Sequence, residues 1–118
     1  MQLHTNRLAD GTELVLLAGR LDSAGVASIE APLSAAIAAG GSRVLVDLSQ
    51  VSFLASIGIR ALLTHARTLA RRGGSLGLVG PRAVVAEVLD VTGIAKIIPV
   101  FADVEAASAA SKAPAPGS

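Results

Sequence analysis

The sequence predicts an α/β domain in which one mixed β-sheet of about five strands is flanked by about four helices. Two patterns alternate along the chain: short apolar runs, typical of buried strands, and longer segments whose apolar residues recur every three or four positions. This alternation favours a single sheet with right-handed crossovers. A length of 118 residues suits one domain, which we place at residues 1–110, followed by the tail "SKAPAPGS" at 111–118, disordered by composition.

The chain is predicted to begin with two strands joined by a tight turn. Asp10 and Gly11 separate two extended segments, and such a pair favours the positive φ of a hairpin. The first helix lies within "GRLDSAGVASIEAPLSAAIAAGG", which has an apolar stripe and ends at two glycines. Pro32 interrupts the stripe, so this helix either kinks at Pro32 or begins only near it.

The central strand and the second helix are the clearest elements. "RVLVDL" is typical of a buried strand, and we expect it to end at Asp47 in a short polar loop. The next helix carries an apolar stripe and ends at Gly73 and Gly74. The strand "SLGLVG", a helix introduced by Pro81, an edge strand in "KIIPVF" and a last helix capped by Asp103 complete the order.

Composition argues against several function classes. A net charge of +1, two Phe and no Trp or Tyr offer little attraction or stacking surface for nucleic acid. The chain has no Cys and no cluster with metal-ligand spacing, so neither a metal nor another cofactor is expected. The apolar runs are shorter than the ~20 residues that span a bilayer, and no signal peptide is visible. We therefore expect a cytoplasmic protein with no direct membrane insertion.

Enzymatic activity is not expected either. Ser56, His65 and Asp47 are the residue types of a hydrolase triad, but His65 follows Ser56 by nine residues on the same predicted helix. Nine residues correspond to about 13 Å along the axis and turn the imidazole to the opposite face. The imidazole cannot then accept the hydroxyl proton. We expect His65 at the edge of the packed face.

Three segments resemble the STAS domain family, in particular the bacterial anti-sigma factor antagonists. "DLSQVSFLASIGIRALL" is similar to the family's strand, "LSxVxFxDSSG" loop and amphipathic helix. "LAGRLDSAGVASIEAPL" resembles the segment "GxLDxxxAxxL", and "VVAEVLDVTGIAKIIPVF" resembles the ending "LxxxGLxxxxxxF". Together they cover most of residues 13–101 in the family's order.

The resemblance implies a STAS-like fold and a regulatory function. The unphosphorylated domain would bind an anti-sigma factor that has a serine kinase fold, and so release a sigma factor. Phosphorylation by that kinase would end the binding, and a serine phosphatase would restore it. Matched position by position, Ser56 is the phosphoacceptor and Gly58 the motif glycine. Asp47 closes the central strand and Asp22 lies in the "LD" segment; Asp22, Asp47 and Gly58 are the partner-binding candidates that this match implies.

The chain departs from the family pattern on both sides of Ser56. Ala55 stands where the family has an acidic residue, and Ile57 where it has serine or threonine. Losing the carboxylate removes a like charge beside a phosphate, but it equally removes a contact that a kinase could read. A constitutive binding module is the alternative.

The second helix is predicted to present an exposed side next to the phosphoacceptor. Ile57, Arg60 and Arg67 lie opposite the core stripe, as an apolar anchor with neighbouring arginines, and we predict that they bind the partner. The structural alternative is a solvated basic face.

The acidic candidates and Ser56 have structural alternatives as well. Ser56 could cap the helix, and Asp22 and Asp47 could accept hydrogen bonds from nearby backbone N–H groups. Two other functions stay open: a non-phosphorylated STAS subunit of a transport or stressosome-like complex, and a small-ligand-binding STAS domain.

Overall fold

The sheet is mixed and its strands follow one another in sequence order. The computed structural model describes residues 1–39 and 42–112. The strands are β1 (Gln2–Arg7), β2 (Glu13–Leu21), β3 (Arg43–Leu54), β4 (Ser75–Val79) and β5 (Val100–Phe101). The helices are α1 (Ser23–Ala39), α2 (Ser56–Arg71), α3 (Ala83–Val91) and α4 (Val104–Lys112), with a 3-10 turn at Ile94–Lys96. β1 pairs antiparallel to β2 and the other pairs are parallel, which confirms the predicted fold class.

The β1–β2 connection is the predicted hairpin turn. Gly11 has a φ of 88°, a conformation that glycine adopts at little cost. The Asp10 carboxylate accepts a hydrogen bond from the Thr12 N–H at 2.9 Å and fixes the turn.

Side chains alternate between two packed layers on either face of the sheet. Val15, Val46 and Leu78 are completely buried in the larger core, together with residues of α1, α2 and α3. The neighbouring positions point to the opposite face, where Leu45 and Val79 pack against Ala107 of α4. The sheet therefore carries three helices on one face and α4 on the other.

β3 is longer than the sequence predicts. It does not end at Asp47: its pairing with β4 stops there, but its pairing with β2 continues to Leu54 through two irregularities in register. Polar residues at these irregularities look like a loop in the sequence. The apolar residues of this part of β3 are nevertheless buried: Leu48, Val51 and Leu54. The β2–β3 pair thus extends beyond the rest of the sheet and carries the start of α2 with it.

The remaining predictions are met with small shifts. α1 passes through Pro32 rather than beginning near it; the proline is exposed, and Leu33 beside it packs in the core. β5 is a two-residue edge strand directly after Pro99, as predicted. The Asp103 carboxylate accepts from the Ala106 N–H at 2.7 Å and starts α4.

The C-terminal boundary stays a prediction. α4 ends at Lys112, two residues past the expected limit of the domain, and residues 113–118 of the expected tail lie outside the described residues. Across the described residues, no helix has both the length and the apolar character needed to cross a membrane.

Candidate functional site

The candidate site lies where β2 and β3 end side by side. Leu21 is opposite Leu54 in the parallel register, and the Ala55 N–H donates a 3.0 Å hydrogen bond to the Leu21 carbonyl. The chain turns into α1 directly after β2, and into α2 directly after β3. This arrangement places the starts of two helices next to each other, with Asp22 immediately before α1 and Ser56 as the first residue of α2.

Ser56 is the first residue of α2, and it is exposed. The N-cap position is taken by Ala55, in an extended conformation, so no side chain caps the helix. Among the described residues, the Ser56 hydroxyl has no hydrogen-bond partner. The capping interpretation of Ser56 is therefore wrong, and its hydroxyl faces solvent.

Gly58 allows α2 to start this close to the strand ends. It is buried, and a Cβ at this position would lie 2.7 Å from the Leu21 carbonyl oxygen and 2.9 Å from Leu54 Cδ1. Any larger residue would push the helix away from the sheet. Gly58 thus positions Ser56 and exposes little surface of its own.

Asp22 caps α1. Its Oδ1 accepts a hydrogen bond from the Gly25 N–H at 2.9 Å, and its Oδ2 accepts one from Arg20 Nε at 3.2 Å. The Gly25 N–H first, and the Arg20 guanidinium second, hold the pKa of this carboxyl below its ordinary value. Asp22 is therefore ionised at neutral pH, half-buried beside the start of α2.

Asp47 lies apart from this site. It shares a sheet face with Leu45, on the side that α4 covers, and its Oδ1 accepts from the Ser49 N–H at 2.8 Å. It lines a cleft of about 420 Å³ with residues that include Val79, Gly80, Asp103 and Glu105. The length of β3 beyond Asp47 separates the carboxylate from Ser56 by roughly 20 Å of strand. The structure does not bring the two together.

The outer side of α2 is basic. Ile57 is 41% exposed, and Arg60 and Arg67 are exposed as predicted. With about 100° per residue, Ser56, Arg60 and Arg67 fall on one narrow stripe of the helix. α2 contains no acidic residue, and neither arginine has an ion-pair partner within the described part of the chain.

His65 lies deeper than predicted. It is buried, with 6% exposure, and its Nε2 is 3.0 Å from Glu30 Oε1 of α1. It shares the inward side of α2 with Gly58, Leu62 and Leu69. The imidazole therefore faces away from the Ser56 stripe, as the spacing predicts, and its Nε2 makes no hydrogen bond within the described residues although Glu30 is this close.

Sequence reasoning missed Arg20 and Phe53, which lie at the same strand ends. They are opposite each other in the β2–β3 register, with Arg20 Cζ 4.3 Å from the centre of the Phe53 ring. Only the register joins these residues, and it depends on two bulge-like irregularities. The single available signal was an aromatic residue close to Ser56 in a chain with two Phe.

Comparisons with known proteins agree with this fold. The model of the STAS domain family matches residues 7–107. A protein of Bordetella bronchiseptica, named "Putative anti-sigma factor antagonist BtrV", is 36% identical over 107 residues, which are 91% of this chain and 92% of that protein.

Solved structures of other proteins superpose on the same fold. An anti-sigma factor antagonist from Mycobacterium paratuberculosis superposes with a TM-score of 0.84 at 24% identity, over 95% of this chain and 94% of that one. The unphosphorylated form of SpoIIAA gives a TM-score of 0.75 at 23% identity, over 97% of this chain and 100% of that one. The phosphorylated form of SpoIIAA, from Bacillus, gives 0.69 at 23% identity, over 94% and 100%. At these identities the likeness shows a shared fold.

Proposed function

The chain belongs to the STAS domain family, and on that premise we propose that it is an anti-sigma factor antagonist switched by phosphorylation of Ser56. Unphosphorylated, it binds an anti-sigma factor that has a serine kinase fold, in the cytoplasm, and so frees a sigma factor. Phosphorylation of Ser56 by that kinase ends the binding, and a serine phosphatase restores it. The relative named as an anti-sigma factor antagonist supports this function.

The observation that carries the proposal is the free hydroxyl of Ser56 at the start of α2. Ser56 is exposed, and its hydroxyl makes no hydrogen bond within the described residues. A kinase can therefore reach the hydroxyl without any unfolding of the domain. The first turn of α2 leaves backbone N–H groups unpaired and contains no acidic side chain. A phosphate there would find donors and no like charge on its own turn.

Phosphorylation would change the charge of the surface rather than the fold. A phosphoserine adds about −1.5 to −2 at neutral pH. The surrounding stripe carries Arg60 and Arg67, with Ile57 as an apolar contact beside them. A partner that binds this basic stripe through acidic residues would meet a repulsive charge after modification. Asp47 does not contribute to this surface, because roughly 20 Å of β3 separates it from Ser56.

The test is a kinase reaction followed by intact mass measurement. A purified anti-sigma factor with a serine kinase fold from the same organism, with ATP, is expected to add one phosphate to the chain and none to Ser56→Ala. Ser52→Ala is the matched control, since Ser52 is an exposed serine on the adjoining strand, and it should be modified like the unaltered chain.

Two results would contradict the proposal: no phosphate from a kinase that is active on itself or another substrate, or a phosphate that persists in Ser56→Ala. A chain that stays unmodified and co-purifies with transport subunits would instead favour a structural STAS subunit.

A further inference from the structure

Arg20 contacts two neighbours, which restrict its side chain. Its Cζ lies 4.3 Å from the centre of the Phe53 ring, and its Nε donates to Asp22 Oδ2 at 3.2 Å. Within the described residues, its terminal N–H groups make no other hydrogen bond. The Arg20 side chain is 60% exposed. The outer edge of this guanidinium is thus open to solvent.

The free outer edge of the Arg20 guanidinium is suited to bind a second carboxylate. Arginine recognises carboxylates through two parallel N–H bonds in one plane, and ordering its long side chain normally opposes binding. Here the Phe53 ring and Asp22 already restrict the side chain before a ligand arrives. A carboxylate that approaches the free edge need not displace Asp22, because Asp22 uses the Nε edge.

The position of this pair connects it to the proposed docking surface. Arg20 and Phe53 directly precede Leu21 and Leu54, after which the chain reaches Asp22 and Ser56. Their side chains point away from the core that Leu21 and Leu54 enter, so they lie on the sheet face opposite α2, at the strand ends that lead into Asp22 and Ser56; Phe53 is 39% exposed. An exposed aromatic ring under an arginine combines two side-chain types that are enriched at interface hot spots.

We propose that Arg20, backed by Phe53, binds an acidic side chain of the anti-sigma factor, beside an apolar group that covers the ring. This inference rests on the proposed function and extends the docking surface from α2 onto the ends of β2 and β3. Charge complementarity supports an acidic partner, because Arg20 is exposed at the strand ends that lead to Asp22 and Ser56, and Arg60 and Arg67 are exposed on α2. The contact belongs to the unphosphorylated complex.

Calorimetric titration with a purified anti-sigma factor of the serine kinase fold from the same organism tests the contact. Arg20→Ala and Phe53→Ala are each expected to weaken binding about tenfold, and the double variant by less than the product of the two, since the residues act together. Arg20→Lys should weaken binding nearly as much as Arg20→Ala, because an ammonium lacks the planar fork. Val91→Ala, an exposed apolar residue on α3, is the matched control and should bind normally.

The outcomes separate this inference from the proposed function. If Arg20→Ala and Phe53→Ala bind within about twofold of the unaltered chain while Ile57→Asp binds weakly, the Arg20 contact is wrong and the docking face on α2 stands. Unchanged affinity of Arg20→Lys would also overturn the proposed Arg20 contact, since a positive charge without the planar guanidinium would then be sufficient for binding. If the unaltered chain does not bind, the proposed function fails and this inference with it. Thermal melts, with Arg20→Gln as a second variant, exclude a folding defect.

Discussion

At the scale of single residues, the N-terminus of α2 differs from an ordinary capped helix. A Ser, Thr, Asp or Asn at the N-cap contributes typically about 1 kcal/mol relative to alanine. This chain has Ala55 at that position and the serine one residue later, where its hydroxyl has no partner within the described residues. The sequence alone does not distinguish a serine at the N-cap from a serine at the first helical position, because helix ends are uncertain by one or two residues. A hydroxyl that does not stabilise its own helix is available to another protein.

Ser56→Ala is therefore expected to leave stability unchanged. The free energy of unfolding, measured by urea denaturation, should stay within about 0.5 kcal/mol of the unaltered chain, as for other surface substitutions without a structural role. Asp22→Ala is the control: it removes a carboxylate that accepts from the Gly25 N–H, and it should lower the unfolding midpoint. A loss of about 1 kcal/mol in Ser56→Ala would mean that the hydroxyl caps α2 in solution.

Residue spacing predicts a site residue only if the spacing along one element brings it to the site. Ile57, Arg60 and Arg67 were predicted as exposed because one helical period relates them. Arg20 and Phe53 were not, because they meet only through the pairing of two strands far apart in the chain. Helical periodicity is visible in the sequence, whereas strand register is set by tertiary packing.

At the scale of elements, the β2–β3 pair and the start of α2 form one unit. The two strands run on together after β4 has ended its pairing with β3, and α2 begins on top of their last residues. Gly58 makes this contact possible, since the Leu21 carbonyl leaves no room for a side chain. The sequence predicted a strand followed by a helix. It did not predict the last part of β3, because the polar residues at the bulges resemble those of a loop. The length of β3 is what separates Ser56 from Asp47.

Gly58→Ala should destabilise the chain by about 1–3 kcal/mol, as expected for overpacking against backbone. The measurement is again urea denaturation, with Thr68→Ala, at an exposed position of the same helix, as the control that keeps full stability. Helix propensity alone predicts the opposite sign, because alanine is favoured over glycine by up to about 1 kcal/mol. A Gly58→Ala chain as stable as the unaltered one would mean that α2 does not approach Leu21 this closely.

At the scale of the whole molecule, the fold presents the site at one end of a sheet. The alternation of strands and helices predicted a single mixed sheet with crossovers, and the structure adds its strand order, β1-β2-β3-β4-β5. What the sequence did not predict is which polar groups share a face: Asp47 lies with α4, while Ser56, Arg60 and Arg67 lie with α2. In a chain with a net charge of +1, Arg60 thus lies one helical turn from a free hydroxyl, and Arg67 lies further along the same stripe of α2.

The most direct test of this central claim is the affinity of the purified anti-sigma factor for two forms of the chain, one unmodified and one with phosphoserine incorporated at residue 56 during synthesis. Calorimetry should show binding by the unmodified form and binding at least about tenfold weaker by the phosphorylated form, because the new charge opposes an acidic partner. Equal affinities would contradict a switch at Ser56.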